Sequence, residues 1–281
     1  PYLVAGQIAA AEDLLALRPE DFARRGLDVR LRHEVTAVRP GARTVDFRDQ
    51  DGRPGSLRYE YLVLATGCEA VVPAWGAAPM ANVFQLRHLP DAVALRALLD
   101  SARPRRAAVV GTGFVGLEVA AALLHRGLEV ALIGRSRHLL GGLEPDFLRP
   151  LLDALQQRGL RLLLGQAVES LLVSGGAAAG VELPDRTVPA DLVVLATGVR
   201  PAVRLARDAG IAIGETGGVA VCDRMRTSAP GVYAAGDCAE VTHVVTGAKV
   251  LSLLALVANR AGRIAGDNLA ADSLGRLSPQ R

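Results

Sequence analysis

A glycine-rich turn at residues 111–116, Gly-Thr-Gly-Phe-Val-Gly, is the part of the sequence best suited to bind a ligand. An apolar run precedes it, an alanine-rich segment follows it, and a second apolar run at 130–133 stands at the distance typical of a strand–helix–strand unit. In such a turn Gly111 permits a sharp bend, Gly113 lets the backbone approach a pyrophosphate, and Gly116 lets the following helix pack on the strand. The helix N-terminus favours phosphate charge. The pattern predicts a dinucleotide-binding site.

The end of the second strand indicates which nicotinamide nucleotide fits. A site for NAD usually carries an acidic residue there, which binds the ribose 2′-hydroxyl, whereas a site for NADP carries basic or small groups. Here the strand ends in Gly134-Arg-Ser-Arg137, without an acid. Arg135 offers a charged fork and Ser136 offers a hydroxyl to a 2′-phosphate. We expect NADPH to be preferred over NADH; in the alternative reading these are ordinary surface residues.

Composition excludes several classes of protein. With 281 residues, half of them apolar, the chain is long enough for two domains with ordinary cores. The net charge of +3 is spread over scattered arginines, and only 4% of residues are aromatic, so a nucleic-acid partner is not expected. No apolar run approaches the roughly 20 residues that cross a bilayer, so we expect a soluble protein without a membrane span. No metal site is expected.

Three cysteines, Cys68, Cys222 and Cys238, include no Cys-x-x-Cys pair, and no signal peptide is recognisable. Such usage is typical of a reducing, cytoplasmic setting. We interpret each cysteine as a small buried residue rather than a nucleophile. The sequence opens on Pro1 and not on methionine, so we expect a fragment of a longer protein.

Two stretches of the chain repeat each other. Tyr-Leu-Val-Leu-Ala-Thr-Gly at 61–67 closely resembles Leu-Val-Val-Leu-Ala-Thr-Gly at 192–198, and each pattern predicts a buried strand that ends in a turn. From 107 to about 200, strands and helices alternate, which favours a doubly wound α/β domain. A repeat at about 130 residues fits two copies of one nucleotide-binding fold, although only one Gly-x-Gly-x-x-Gly is present.

Shorter patterns complete the expected architecture. Alternating apolar residues predict strands of a small sheet at 27–31, 35–38, 44–47 and 57–59. Helical spacing predicts helices at 91–102, 148–158 and about 251–270. A last buried strand, 232–235, leads into Gly236 and Asp237. The carboxylate of Asp237 can accept hydrogen bonds from sugar-alcohol hydroxyls, or it can be a plain turn aspartate.

These residues together resemble the pyridine nucleotide-disulfide oxidoreductases, a family of flavoproteins with two dinucleotide-binding domains. The resemblance rests on the two Ala-Thr-Gly turns, the Gly-x-Gly-x-x-Gly between them and the later Gly-Asp. Within the family, three segments are similar to the branch of coenzyme A-disulfide reductase, NADH oxidase and NADH peroxidase, namely 1–8, 242–247 and 258–268.

The resemblance implies an α/β fold of two Rossmann-like domains, in which the NAD(P) domain is inserted into the FAD domain and a three-stranded β-meander stands next to each. It divides the chain into a first part of the FAD domain (1–102), the NAD(P) domain (103–220) and a return segment of the FAD domain (221–281). The family's N-terminal FAD βαβ unit, its redox cysteine and its C-terminal dimerisation domain are missing from the sequence. We expect that cysteine upstream of Pro1, no catalytic residue within the chain, and a homodimer for the full-length protein.

The resemblance also implies part of an FAD site. The expected contacts are Val35 at the adenine end through its backbone, Thr66 and Gly67 along the cofactor, Gly236 and Asp237 at the ribityl chain or phosphate, and Ala255 close to the isoalloxazine. The start of the last helix would stabilise negative charge on the reduced flavin. Thr66 and Thr197 could instead cap strand ends.

On the nicotinamide side, the implied contacts lie in and after the glycine turn. They are Gly111, Gly113, Phe114, Val115 and Gly116 at the pyrophosphate and ribose, Gly198 near the nicotinamide half, and Glu118 close to nicotinamide and flavin. Glu118 could instead be a solvated helix acid. Phe114 either moves to admit the nicotinamide or packs against the sheet.

The implied reaction is hydride transfer from NAD(P)H to FAD, followed by electron transfer to a disulfide, a cysteine sulfenic acid or oxygen. The acceptor would be a small molecule or a small protein. One alternative is an NAD(P)H-dependent component that reduces ferredoxin, rubredoxin or nitrite and needs no redox cysteine. Another is a nucleotide-binding fragment without catalysis, since the isolated fragment is expected to be inactive.

Overall fold

The computed structural model describes residues 1–141 and 143–275. The α-helices in these residues are α1 (Pro19–Arg24), α2 (Leu89–Ala102), α3 (Phe114–His125), α4 (Pro145–Gln157), α5 (Arg204–Asp208) and α6 (Ala255–Ser273). The strands are β1 (Glu34–Arg39), β2 (Thr44–Arg48), β3 (Pro54–Arg58), β4 (Leu62–Leu64), β5 (Cys68–Ala70), β6 (Val83–Gln85), β7 (Arg106–Val110), β8 (Glu129–Gly134), β9 (Leu160–Leu164), β10 (Ser170–Ser174), β11 (Ala177–Leu183), β12 (Arg186–Pro189), β13 (Leu192–Leu195), β14 (Val199–Pro201), β15 (Val232–Ala234), β16 (Val241–Thr242) and β17 (Lys249–Val250).

The chain forms two compact units. The first comprises Pro1–Arg18 and Ala70–Val199, and the second comprises Pro19–Glu69 and the described chain from Arg200 onward. In sequence, Ala70–Val199 therefore stands between two segments of the second unit.

The first unit is built on a five-stranded parallel sheet with the strand order β6-β13-β7-β8-β9. Its central strands are almost entirely apolar because both faces of the sheet are covered. Val109 and Leu132 face a cluster that includes side chains of α2, α3 and α4, whereas the next residues along each strand, Val110 and Ile133, face a second cluster. This alternation follows from the two-residue period of a strand. The sheet has helices on one face and the antiparallel meander β10-β11-β12 on the other.

A buried amide ties this meander to the sheet. The Nδ2 atom of Asn82 donates to the carbonyl oxygens of Ala178 at 2.7 Å and Asp191 at 2.9 Å, and its Oδ1 atom accepts from the N–H of Ala178 at 3.0 Å. Asn82 is only 9% exposed, so these bonds take the place of water. The side chain satisfies three backbone groups and fixes the distance between the two layers.

The second unit combines the antiparallel meander β1-β2-β3, the parallel pair β4-β15 and helix α6 around one apolar cluster. Tyr233, in β15, is buried and donates its hydroxyl to Asp272 near the end of α6. Arg226 donates to the same carboxylate through Nε at 3.0 Å. These contacts hold α6 against β15, whose carboxyl end lies beside that of β4.

The predicted α/β class, the parallel sheet and the two three-stranded meanders are confirmed. The expectation that the domain is doubly wound is wrong, because helices cover one face of the parallel sheet and a meander covers the other. The strand predicted at 27–31 is wrong, because that segment adopts no strand geometry. Its apolar residues Leu27, Val29 and Leu31 are 53%, 49% and 67% exposed. Alternating side chains support a strand when they pack on a neighbouring surface, and these do not.

The two units divide the chain differently from the predicted ranges 1–102, 103–220 and 221–281. The segment from Ala70 to Ala102 belongs to the first unit, because β6 hydrogen-bonds to β13 and α2 packs on the sheet. Residues 1–18 join it through the buried Val4. Residues 200–220 belong to the second unit, whose cluster contains Ala206 and Val219.

Within the described part of the chain, no helix combines the length and the apolar character that a membrane crossing requires. The same residues contain no group of three His, Cys, Asp or Glu side chains placed to hold a metal ion.

Replacing Asn82 with alanine should lower the free energy of unfolding by about 2–4 kcal/mol, because three backbone groups would stay buried without a partner. Urea denaturation followed by circular dichroism measures this change. The exposed Gln156 provides the control, since its replacement by alanine should change the free energy by less than about 0.5 kcal/mol. Equal losses in the two variants would contradict the role of the amide.

Candidate functional site

The glycine turn is formed by three backbone segments in direct contact. Gly111 has a φ of +122°, and a Cβ atom there would lie 1.9 Å from the carbonyl oxygen of Ala196. A Cβ atom on Gly116 would lie 1.9 Å from the carbonyl oxygen of Gly111. Neither position can hold a larger residue unless the backbone moves. The turn, the start of α3 and the end of β13 are therefore packed backbone to backbone.

The start of α3 is open. The helix begins at Phe114, Gly113 precedes it, and no side chain caps its first turn. A Cβ atom on Gly113 would meet no atom within 4 Å. The first N–H groups of a helix have no intrahelical partner and form the positive end of its dipole. A negatively charged group can therefore approach the backbone at this point.

A cleft of about 730 Å³ opens beside the turn, entirely within the first unit. Its volume is in the range of small-molecule and cofactor sites. Three segments line it, Gly111–Gly113, Ile133–Ser136 and Ala196–Gly198, together with parts of 71–75 and 166–168. Among the described residues, Arg135 is the only charged one in this lining. The cleft therefore favours an anion.

The loop after β8 is held in place by backbone hydrogen bonds. The N–H of Gly165 donates to the carbonyl oxygen of Ser136 at 3.0 Å, and the N–H of Gln166 donates to that of Gly134 at 2.9 Å. The Oγ atom of Ser136 accepts from the N–H of His138 at 2.9 Å. Because the hydroxyl acts as an acceptor in this bond, its hydrogen can still be donated to a ligand.

The Ala-Thr-Gly turn of the first unit is fixed to a neighbouring segment by two hydrogen bonds. The Oγ1 atom of Thr197 donates to the carbonyl oxygen of Val71. The N–H of Val71 donates in return to the carbonyl oxygen of Gly198 at 2.9 Å. Gly198 has a φ of +106° and open space where a Cβ would stand, so its backbone faces the cleft without a side chain.

The Ala-Thr-Gly turn of the second unit makes the same pair of bonds. The Oγ1 atom of Thr66 donates to the carbonyl oxygen of Ala202 at 2.6 Å, and the N–H of Ala202 donates to the carbonyl oxygen of Gly67 at 2.9 Å. Both threonine hydroxyls therefore donate to the backbone, as expected if Thr66 and Thr197 cap the ends of strands. A ligand can still reach the backbone of these turns.

The structure brings only some of the predicted residues to the cleft. Gly116 lies beneath the turn and supports it, whereas Phe114, Val115 and Glu118 lie exposed on the first turns of α3 and do not line the cleft. Their contact with a nucleotide remains a prediction. The predicted residues that line the cleft are Gly111, Gly113, Arg135, Ser136 and Gly198.

A second group of predicted residues gathers where β4 and β15 end side by side. The strands lead into Gly67 and Gly236, which have φ values of +69° and +81°. The Sγ atom of Cys68 donates to the Oδ2 atom of Asp237 at 3.3 Å. This edge thus presents a half-buried carboxylate between two turns that carry no side chain at their sharpest point.

Val35 and Ala255 occupy other parts of the second unit. Val35 pairs with Phe47 in the β1–β2 ladder and packs against the apolar cluster. Ala255 is the exposed first residue of α6, whose N-terminus has no side-chain cap. One turn later, Ala258 lies 3.8 Å from the point where a Cβ of Gly236 would stand. The helix therefore begins close to the Gly236 turn.

Sequence reasoning missed several residues of the cleft. Thr112 stands inside the Gly-x-Gly pattern, so its position in the turn could have drawn attention to it. Trp75 and Gln166 come from segments distant in sequence. They reach the cleft through the order of strands in the sheet, which the sequence pattern does not specify.

Comparison with known proteins identifies the family. The sequence profile of the pyridine nucleotide-disulphide oxidoreductases matches residues 3–262. This chain belongs to that family. An NADH oxidase of Methanocaldococcus jannaschii is 34% identical over 272 residues, which cover 96% of this chain and 60% of the relative. A CoA-dependent NAD(P)H sulfur oxidoreductase of Pyrococcus furiosus is 36% identical over 280 residues, which again cover 96% of this chain and 60% of the relative. The chain thus spans about three fifths of the length of these curated relatives.

Solved structures of oxidoreductases match as well. The reduced CoADR-RHD of Bacillus anthracis has a TM-score of 0.90 at 31% identity and matches 95% of this chain and 48% of its own. A water-forming NADH oxidase of Lactobacillus brevis bound to NADH has a TM-score of 0.87. An engineered NADPH oxidase derived from it, bound to NADPH, has a TM-score of 0.86. Each is 28% identical to this chain, and each match covers 95% of this chain and 59% of the oxidase chain. Putidaredoxin reductase, linked to putidaredoxin, has a TM-score of 0.88 at 27% identity and matches all of this chain and 66% of its own.

Replacing Gly111 with alanine should strongly lower the melting temperature, because the new Cβ atom would overlap the backbone of Ala196 and the positive φ would be strained. Replacing Gly113 with alanine is the matched control. It should leave the melting temperature nearly unchanged, because the added methyl group enters open space, and should weaken nucleotide binding. Thermal denaturation of the two variants measures the difference. A lower melting temperature for the Gly113 variant than for the Gly111 variant would contradict this assignment.

Cys68→Ser and Cys238→Ser should each leave the turnover of the full-length oxidoreductase within a few-fold of the native value. A serine hydroxyl can replace the thiol as the donor to Asp237, and Cys238 is buried with its thiol directed at the carbonyl oxygens of Leu64 and Ala235. Steady-state assays of both variants measure this. Loss of turnover by orders of magnitude would show that one thiol takes part in the chemistry.

Proposed function

We propose that this chain binds NADPH and FAD and passes a hydride from NADPH to FAD. Electrons then leave the flavin for a disulfide, a cysteine sulfenic acid or oxygen. The proposal rests on the cleft beside the glycine turn, where the described lining residues offer open backbone N–H groups, one arginine and no carboxylate. Such a cleft suits a pyrophosphate and a 2′-phosphate.

The end of β8 supports NADPH as the hydride donor. Arg135 can form a charged pair of hydrogen bonds with a 2′-phosphate, and Ser136 can donate its hydroxyl hydrogen to it. The engineered NADPH oxidase differs from the Lactobacillus brevis enzyme by five substitutions. Three of them, at consecutive positions, replace aspartate, alanine and methionine with alanine, arginine and serine. Gly134, Arg135 and Ser136 present the same order of a small residue, an arginine and a serine.

The second unit offers residues that fit part of an FAD site. The carboxylate of Asp237 can accept hydrogen bonds from ribityl hydroxyls, while Gly67 and Gly236 allow close approach of a ligand to the backbone. The uncapped start of α6 at Ala255 can stabilise negative charge on a nearby group. Thr66 would contribute its backbone, and Val35 the adenine contact. FAD, when bound, supplies the ring that accepts the hydride.

The final acceptor is a small molecule or a small protein. The names of the sulfur oxidoreductase and NADH oxidase relatives support a small-molecule acceptor. The match of the whole chain to putidaredoxin reductase supports a second candidate, an electron-carrier protein. We propose a homodimer for the full-length protein.

Anaerobic titration of the purified full-length protein with NADPH tests the proposal. Copurified flavin should give a yellow protein, and its visible absorbance should bleach on addition of NADPH. Nucleotide binding without flavin, or without bleaching, would favour a nucleotide-binding module that has no catalytic activity. Failure to bind either nucleotide would contradict the proposal.

Replacing Arg135 with alanine should lower the ratio of kcat/KM for NADPH to that for NADH by about 10–100-fold, because a hydrogen bond to a charged group contributes about 1.5–3 kcal/mol. The exposed Arg158, outside the cleft lining, is the control, and its replacement by alanine should leave the ratio unchanged. Equal ratios in the native protein and the Arg135 variant would show that this side chain does not read the 2′-phosphate.

A further inference from the structure

The last residue of β8 occupies the place where a site for NAD usually carries its acidic residue. In this chain that residue is Gly134, which is buried. Its φ is not in the positive region, so the strand geometry itself would accept any residue. The need for glycine must therefore come from a neighbour.

That neighbour is Thr112, the second residue of the glycine turn. A Cβ atom on Gly134 would lie 2.4 Å from the Cγ2 atom of Thr112, 2.8 Å from its Oγ1 atom and 3.2 Å from its Cβ atom. Carbon atoms that are not bonded to each other pack at about 3.5–4.0 Å. Rotation about χ1 would move Cγ2 and Oγ1 but would leave Cβ in place. In every rotamer the Cβ atoms of the two residues would still stand 3.2 Å apart, so Thr112 would have to move by a few tenths of an ångström to admit a side chain at position 134.

Thr112 cannot easily move away from Gly134, because hydrogen bonds fix the turn on both sides of it. The N–H of Gly111 donates to the carbonyl oxygen of Ile133 at 2.8 Å, and the carbonyl oxygen of Thr112 accepts from the N–H of Leu140 at 3.1 Å. The contact between Gly111 and Ala196 holds the turn from the other direction. Movement of Thr112 would break these contacts.

We infer that Thr112 determines nucleotide specificity by excluding every side chain, and above all a carboxylate, from position 134. The inference rests on the proposed nucleotide site and adds the residue that keeps that site free of negative charge. Gly134→Asp alone cannot convert the cleft to one for NADH, whereas the same change becomes possible once Thr112 is glycine.

The test compares four full-length proteins: the native chain, Gly134→Asp, Thr112→Gly and the double variant. Dissociation constants for NADPH and NADH are measured by isothermal titration calorimetry, and melting temperatures by thermal denaturation. Gly134→Asp should melt several degrees lower and bind both nucleotides more weakly. Thr112→Gly should still favour NADPH because Arg135 is present. The double variant should shift the ratio of the two affinities toward NADH by about 10–100-fold, as expected for one hydrogen bond to a charged group.

Two results would overturn the inference. One is a Gly134→Asp variant that gains NADH affinity as fully as the double variant does, without a lower melting temperature. The other is a switch to NADH in Thr112→Gly alone. A native protein that binds neither nucleotide would instead overturn the proposed function.

A second pair of variants keeps the steric claim testable if the aspartate proteins do not fold. Gly134→Ala adds only a methyl group, and we expect it to lower the melting temperature in the native background but much less in the Thr112→Gly background. Equal losses in the two backgrounds would show that Thr112 is not the cause. This readout does not depend on nucleotide binding, so it separates the steric claim from the proposed function.

Discussion

The first unit depends on the contact between the backbone of Gly111 and the carbonyl group of Ala196. With no Cβ at Gly111 or at Gly116, the glycine turn, the end of β13 and the start of α3 meet without a side chain between them. This contact places the uncapped helix N-terminus at the cleft and brings Thr112 against Gly134. The anion-binding character of the cleft and the absence of an acid at the end of β8 are therefore linked to the same packing.

The two units fix their Ala-Thr-Gly turns with the same pair of hydrogen bonds. In each turn, the threonine hydroxyl donates to the backbone carbonyl group of a residue in a neighbouring segment. The N–H of that neighbouring residue donates in return to the carbonyl oxygen of the glycine. The paired bonds satisfy backbone groups at the point where a strand ends. The two threonines thus have a structural role in the fold, and their hydroxyl oxygens can still accept a hydrogen bond from a ligand.

Much of the fold could be predicted from the sequence, since the relevant patterns are local. Apolar strands followed by glycine turns indicated the parallel sheet, and Gly111–Gly116 indicated the helix that follows it. The unit boundaries could not be predicted, because β6 joins the sheet beside β13, more than a hundred residues away in sequence. The pattern at 27–31 was misleading for a related reason: alternation does not reveal whether a packing surface is available.

Part of the candidate site could also be predicted from the sequence, because some of its residues belong to local patterns. Arg135 and Ser136 could be named because their position at the end of β8 follows from the glycine turn and the strand pattern. The effect of Thr112 on Gly134 could not be predicted, since it depends on interatomic distances between the glycine turn and the end of β8. The proposed function depends above all on recognition of the 2′-phosphate of NADPH by the cleft. Its most direct test is the ratio of kcat/KM for NADPH to that for NADH in the native full-length protein. We expect a ratio of about ten or more, as for one charged hydrogen bond, and a clear preference for NADH would contradict recognition of the 2′-phosphate.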